Sequence, residues 1–183
     1  MSFASSYEAN QEARRSHLLE CRQPEETQVR DALRRSGCYS LIIELKRKKT
    51  IRVGRSGEAV FPAGTYVYTG SAMSGLGARL KRHCNRKKKI HWHIDYLLTL
   101  PEARVQKIIL YPAAPGQECR QNKRVAARPD TEVILKNFGA SDCKSGCPSH
   151  LLYFANDFLP KFAGHIVQFR TGKAGRAFRK AAP

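Results

Sequence analysis

Two groups of residues have the types and the spacing to do chemistry. Cys143, Cys147 and His150 form a Cys-x3-Cys-x2-His cluster inside FGASDCKSGCPSHL, and thiolate and imidazole donors at such a spacing suit a tetrahedral zinc ion. Only three ligands are local, so a fourth, such as Cys119 or His83, would have to come near through the fold. The favoured expectation is therefore a tight turn with small buried thiols, because a cysteine without a metal behaves as a small apolar side chain. Cys21, Cys38 and Cys84 show no metal spacing. The second group is cationic. Arg82 and Arg86 lead into the run Lys87, Lys88 and Lys89, a string of donors suited to phosphate oxygens but blind to base sequence. Just downstream, His93 and Asp95 in HWHIDYLL are candidates to support a site, while Trp92, Ile94, Tyr96 and Leu97 mark the same segment as core packing.

The whole chain shares that charge. It carries 33 Lys plus Arg against 15 Asp plus Glu, a formal net charge of +18. Residues 1–36 are balanced, so the excess lies in the middle and the end of the chain. A field of this size attracts phosphate backbones and predicts salt-sensitive binding through counterion release. Nucleic acid is the expected partner, and DNA is preferred to RNA. An anionic membrane surface is the rival, but neither a lipidation motif nor a basic amphipathic helix supports it. The longest apolar runs, Leu41 to Ile43 and Ile108 to Leu110, fall far short of the roughly 20 residues that span a bilayer. The first residues lack a signal-peptide pattern and the cysteines are too few for a disulfide scaffold, so a reducing cytoplasm is expected.

Elements must position these groups. Residues 1–36 mix charged and small residues and predict a helical or disordered extension outside the core. From Gly37 the run CYSLIIEL is β-branched and aromatic, and with IRVG it predicts a hairpin. Short strands follow at Ala59 to Phe61 and Tyr66 to Tyr68, separated by the turn residues Pro62 and Gly64. The period then changes, and Leu76, Leu80 and His83 fall on one face of an otherwise basic helix. HWHIDYLLTL predicts a second helix, RVQKIILYP a strand, GQECRQNKRVAAR a third helix, and Leu151 to Phe154 the last strand. Residues 156–183 read as a basic tail. The expected architecture is α+β, a small mostly antiparallel sheet flanked by helices, in one domain over residues 37–155.

Three strings now stand in order: GCY at 37–39, YTG at 68–70, and GLGARLKRH ending at His83. Together they resemble the signature of the GIY-YIG nuclease superfamily. Within it, FPAGTYVYTGSA, RLKRH, WHIDYLL, EC and FGASDC with SHL resemble the uncharacterised DUF123 branch, some members of which are fused to DNA-repair glycosylases. The resemblance implies two strand tyrosines, Tyr39 and Tyr68, a helical Arg79 with His83 one turn on, and Glu118 as ligand of one divalent ion, Mg or Mn. Two departures stand out. Ser40 to Val67 is a longer separation than the superfamily normally places between its tyrosine motifs, enough for an extra hairpin, and Cys38 and Thr69 replace the middle isoleucines.

The chemistry so implied is physically coherent. Cleaving a phosphodiester needs an activated water, a cation opposite the developing charge, and stabilisation of the leaving oxygen. A tyrosine ionises near pH 10, so Tyr39 or Tyr68 can act as a base only where positive charge favours the phenolate. Arg79 offers a planar fork for phosphate oxygens, and Glu118 a hard oxygen ligand. The expected function is a metal-dependent DNA endonuclease, in repair or structure-selective processing. Two alternatives stand beside it: a noncatalytic nucleic-acid-binding module that keeps the fold, and a zinc-stabilised adaptor built on the cysteine cluster.

Overall fold

The computed structural model describes residues 26–155 and the backbone of 165–168. Its elements run, in chain order, α1 (Glu26–Arg34), β1 (Gly37–Leu45), β2 (Lys49–Arg52), a 3-10 turn (Gly54–Ser56), β3 (Glu58–Phe61), β4 (Gly64–Ala72), α2 (Leu76–Cys84), α3 (His93–Leu98), β5 (Ala103–Pro112), α4 (Gln117–Ala126), β6 (Leu151–Phe154) and β7 (His165–Gln168). Five strands form one antiparallel sheet in the order β6-β4-β1-β5-β7, and β2 with β3 forms a separate ribbon. The expected α+β class is what the chain adopts.

β1 sits at the centre because its sequence suits burial on both faces. Tyr39, Leu41, Ile43 and Leu45 enter one apolar cluster with Leu76, Leu80, Ile94, Leu97 and Phe138. Cys38 and Ile42 enter a second, with Val67, Ile109, Leu152 and Val125 of α4. Strand alternation thus divides β1 between two cores, and each fully buried Leu or Ile contributes about 1.5–3 kcal/mol. Helices α2 and α3 supply the first core and α4 closes the second.

Three expectations need correction. IRVG does not pair with β1: both edges of β1 are taken, by β4 and β5, and the half-exposed Lys49–Arg52 pairs with Glu58–Phe61 instead. This ribbon occupies the long interval between the two tyrosine motifs. Nor does the whole N-terminal extension lie outside the core. Val29, Ala32 and Leu33 recur at helical spacing on α1, Ala32 and Leu33 pack on the first cluster, and the Leu76 N–H donates to the Arg35 carbonyl at 3.0 Å. Finally, the segment expected to be a tail after residue 155 provides β7, which pairs with β5 over Lys107–Leu110. Residues 1–25, 156–164 and 169–183 of the expected extension and tail lie outside the described residues.

Candidate functional site

The first half of β1 and the second half of β4 lie side by side, with Tyr39 opposite Gly70 and Leu41 opposite Tyr68. Both tyrosines project to the face covered by α2, and their ring centroids are 6.4 Å apart. Gly70 is required there. A Cβ at this position would lie 2.6 Å from the Tyr39 hydroxyl oxygen and 2.8 Å from the ring carbon bearing it, so the tyrosine can cross the neighbouring strand only over a residue without a side chain. Helix α2 then delivers His83, whose Nε2 is 2.7 Å from the Tyr39 hydroxyl. Tyr39 is 1% exposed and His83 2%.

Burial decides the protonation of this pair. It drives the Tyr39 pKa well above its ordinary value, with the neighbouring Tyr68 adding to the rise and Arg79 opposing it. Tyr68 is raised as well, by burial first and then by the Glu118 charge. The same burial, aided by the Lys88 ammonium, pushes His83 down to about 3. At neutral pH the imidazole is therefore uncharged. Its Nδ1 is buried without a hydrogen-bond partner, so the tautomer that accepts the Tyr39 proton at Nε2 leaves its own N–H unsatisfied inside the protein. The phenolate that the sequence reading required is not favoured in the free protein; what is present instead is a phenol beside a neutral proton acceptor.

Arg79 lies one turn before His83 on α2. Its guanidinium covers the Trp92 ring at 4.0 Å from the centroid, and Arg82 covers the same ring at 4.7 Å. The two arginines differ in what else holds them. Arg82 is 2.5 Å from Asp95 and donates to the Lys89 carbonyl. Among the described residues no carboxylate lies within ion-pair distance of Arg79. Stacking positions it while leaving its N–H fork uncommitted, and its charge acts on Tyr39, Tyr68 and Glu118.

Glu118 approaches from the opposite face, at the start of α4, where a negative charge also complements the helix dipole. Burial would raise its pKa, but the nearby His150 imidazole, a hydrogen bond from Ser71 and the charge of Arg79 outweigh that and hold the carboxyl below the ordinary range. Its Oε1 lies 2.9 Å from His150 Nδ1. The Cys38 thiol meets the backbone N–H of Glu118, so the middle residue of GCY helps seat the helix. Tyr39, Tyr68, Arg79, His83 and Glu118 are thus brought together at one end of the sheet.

The remaining candidates divide. His93 is structural: its Nδ1 accepts the Gly139 N–H at 3.0 Å, and its ring packs on Phe138. Gly139, at φ +65°, passes so close to Tyr68 that a Cβ would lie 2.9 Å from its ring; His93 therefore shapes the wall behind Tyr68. Asp95 is fully buried, accepts the N–H groups of His91 and Trp92 at the start of α3, and pairs with Arg82 and Lys88. Neither presents itself to a substrate. Lys88 is also withdrawn from the expected phosphate-binding row: its side chain is 2% exposed and its ammonium donates to the carbonyls of Arg82 and His83 that end α2. The Arg86 guanidinium donates to the Pro101 and Ala103 carbonyls at the edge of the sheet, whereas Lys87 and Lys89 are exposed.

The cysteine cluster gains its fourth donor. Cys119 on α4 brings its Sγ to 3.5 Å from Cys143 Sγ and 4.0 Å from His150 Nε2. The ligand atoms of Cys119, Cys143, Cys147 and His150 all lie within 4.8 Å of one another. The condition that the spacing set for a metal site, a fourth donor brought near by the fold, is therefore met, and the four residues could hold a metal ion. His83, the other fourth ligand considered, points instead to Tyr39.

The family model of a domain of unknown function, DUF123, matches residues 38–169. The chain belongs to the DUF123 family. The match begins within β1 and runs past β7, so the last strand of the sheet falls inside the DUF123 domain. Comparison with curated proteins and with solved structures returned no match. Among the described residues, no helix is long and apolar enough to cross a membrane.

Two contributors to the site escaped the sequence reading. Trp92 packs against the core as its segment predicts, but it is also the platform for Arg79 and Arg82, for which a lone tryptophan following an Arg-x2-Arg pair is the available signal. Ser71, adjacent to YTG, hydrogen-bonds Glu118, and nothing in its spacing indicated that.

Proposed function

We propose that this protein is a metal-dependent endonuclease that hydrolyses phosphodiester bonds in DNA, in the manner its motifs share with the GIY-YIG nucleases. The observation that carries the reading is the hydrogen bond between Tyr39 and a neutral His83, with Arg79, Tyr68 and Glu118 gathered at the same end of the sheet. A buried phenol is a poor base alone. Beside a neutral imidazole it can take a proton from an attacking water while its own proton passes to His83 Nε2, so no isolated phenolate has to exist. Arg79 supplies the fixed charge for a non-bridging phosphate oxygen, and its stacking on Trp92 means that little reorganisation accompanies the reaction. Tyr68 lines the pocket beside Tyr39 and excludes water from it.

Glu118 is the residue fitted to a hard divalent ion. It is ionised, its side chain is 25% exposed, and a lone carboxylate suits Mg or Mn, which keep several of their waters. Such an ion would supply Lewis-acid stabilisation of phosphate charge. The net charge of +18 would gather the polyanion without choosing a sequence, which matches a structure-selective or nonspecific enzyme better than a sequence-reading one.

The test is nicking of supercoiled plasmid and cutting of branched DNA with Mg or Mn against EDTA. Arg79→Ala and Tyr39→Phe should each lower cleavage by about 10²-fold or more, with circular dichroism melts reporting retained folding. Full cutting by either folded variant sinks the assignment. The noncatalytic binding module draws support from the burial of Tyr39. Tight, salt-sensitive binding without metal-dependent cutting by the wild type would select it.

A further inference from the structure

We propose that Cys119, Cys143, Cys147 and His150 form a closed zinc site whose role is structural, with Glu118 as the outer carboxylate that orients the histidine ligand. The geometry is close to what the ion requires. Zn–S bonds of about 2.3 Å and Zn–N bonds of about 2.0–2.1 Å place tetrahedral donors roughly 3.5–3.8 Å apart. Here the Cys119–Cys143 sulfur separation is 3.5 Å, the Cys119 sulfur to His150 Nε2 separation is 4.0 Å, and no pair exceeds 4.8 Å. The sulfurs belong to free thiols. Three thiolates and an imidazole select a borderline-soft ion over Mg or Ca, and four protein donors leave no position open for a substrate.

The surroundings agree with a ligand set. His150 presents Nε2 to the sulfurs, and its Nδ1 lies 2.9 Å from Glu118 Oε1, not aligned as a hydrogen bond but within reach of the carboxylate–histidine–metal order that fixes a ligand's tautomer and ring orientation. Backbone N–H groups of Ser145 and Cys147 point to the Cys143 sulfur, as they do where a thiolate is to be held. The site also answers a need of the fold. Between α4 and β6 no helix or strand forms, apart from one bridge of Glu132 to Tyr153. A connection of this length without regular structure is uncommon in a compact domain unless something ties it down. Cys119 anchors the tie on α4, Cys143 and Cys147 in the connection, and His150 at the mouth of β6. Binding releases the thiol protons to solvent, so three thiolates and one neutral imidazole meet one zinc ion.

Zinc binding stands apart from the nuclease reading. Only its consequence for that site rests on it: the metal-held His150 would fix the rotamer of Glu118 and with it the place of the divalent ion.

Zinc content of the full chain, purified reduced and without chelator, tests this directly. One zinc per chain is expected, and Cys143→Ser and Cys147→Ala should lose it. Glu118→Gln should retain the ion with roughly 10- to 100-fold weaker affinity. Because the cysteine variants can fail to fold, the wild type is also stripped and reloaded with cobalt(II), whose intense visible bands and thiolate charge transfer report tetrahedral sulfur coordination. A folded, reduced wild type that takes up neither zinc nor tetrahedral cobalt overturns the proposal. So does a Cys147→Ala protein that keeps one zinc, or a Cys119–Cys143 disulfide found in place of metal. Loss of nuclease activity alone moves none of these readouts.

Discussion

At the scale of single residues, the chemistry turns on what burial does to ordinary side chains. Tyr39 and His83 are common residues of a sheet and a helix; packed against each other at 2.7 Å, they become a phenol and an imidazole that share a proton. The acid sensitivity of the fold follows. His83 ionises only near pH 3 in the folded protein, whereas an unfolded histidine takes up its proton near pH 6.5. Between those values the unfolded chain binds more protons, so the stability this neutral histidine allows is present above about pH 6.5 and is lost as pH falls, by up to ~1.4 kcal/mol per pH unit. Melting temperatures of wild type and His83→Gln compared from about pH 7 down to pH 4 should diverge, with the shallower slope in the variant. Equal slopes would place a charged histidine in the core and undo the proton-acceptor role. The tyrosines, Arg79 and His83 were legible as a set only through the resemblance of GCY, YTG and GLGARLKRH, in that order, to a nuclease signature. That the phenols stay protonated was not, since it depends on how completely other elements cover them.

At the scale of elements, α2 and α3 form one unit held by charge. Asp95 sits at the first turn of α3 and satisfies the N–H groups of His91 and Trp92. It also receives Arg82 of α2 at 2.5 Å and has Lys88 at 3.4 Å. Burial opposes its ionisation, but these donors and cations prevail and hold its pKa below the ordinary carboxylate value. Its contribution is therefore complete above about pH 4 and fades as pH falls through its lowered folded value. Removing one partner of a buried ion pair strands the other, so Asp95→Asn should cost about 3–5 kcal/mol, read as a lower denaturant midpoint. It should also loosen the Trp92 platform under Arg79, and cleavage should fall with it. Stability within 1 kcal/mol of wild type, an allowance smaller than the loss of one charge-assisted hydrogen bond at about 1.5–3 kcal/mol, would show that Arg82 and Lys88 find other partners. Helix α2 was readable from the recurrence of Leu76, Leu80 and His83, and β6 from LLYF. The pairing of β2 with β3 was not, because strand partners are chosen by which edges of β1 remain free, and both are taken by β4 and β5, of which β5 lies some sixty residues downstream.

At the scale of the whole molecule, the proposed function draws on the charge of +18 for a general attraction to polyanions, and the fold decides which cations are free to deliver it. Lys87 and Lys89 are exposed, while Lys88 between them is spent on the end of α2 and on Asp95. Lys87→Glu with Lys89→Glu should weaken binding to duplex DNA and flatten the plot of log affinity against log salt by roughly 1 per lost phosphate contact. Lys88→Ala should instead act mainly through stability. Filter binding over a salt series, with thermal melts alongside, separates the two, and a common effect of all three lysines would mean that the basic run works as one flexible patch. The sequence by itself determined the α+β class, most element positions and the basic character, because period and composition are properties of neighbouring residues, and it pointed to the five residues around Tyr39 through the resemblance of its motif strings to a nuclease signature. Only the tertiary structure decided that Cys119 completes the cluster of Cys143, Cys147 and His150, that Glu118 stands between that cluster and Tyr39, and that Asp95, His93 and Lys88 serve the scaffold. Those assignments depend on atoms 24 and 31 residues apart reaching hydrogen-bond range, a distance fixed by how α4 packs on the sheet and by no spacing along the chain.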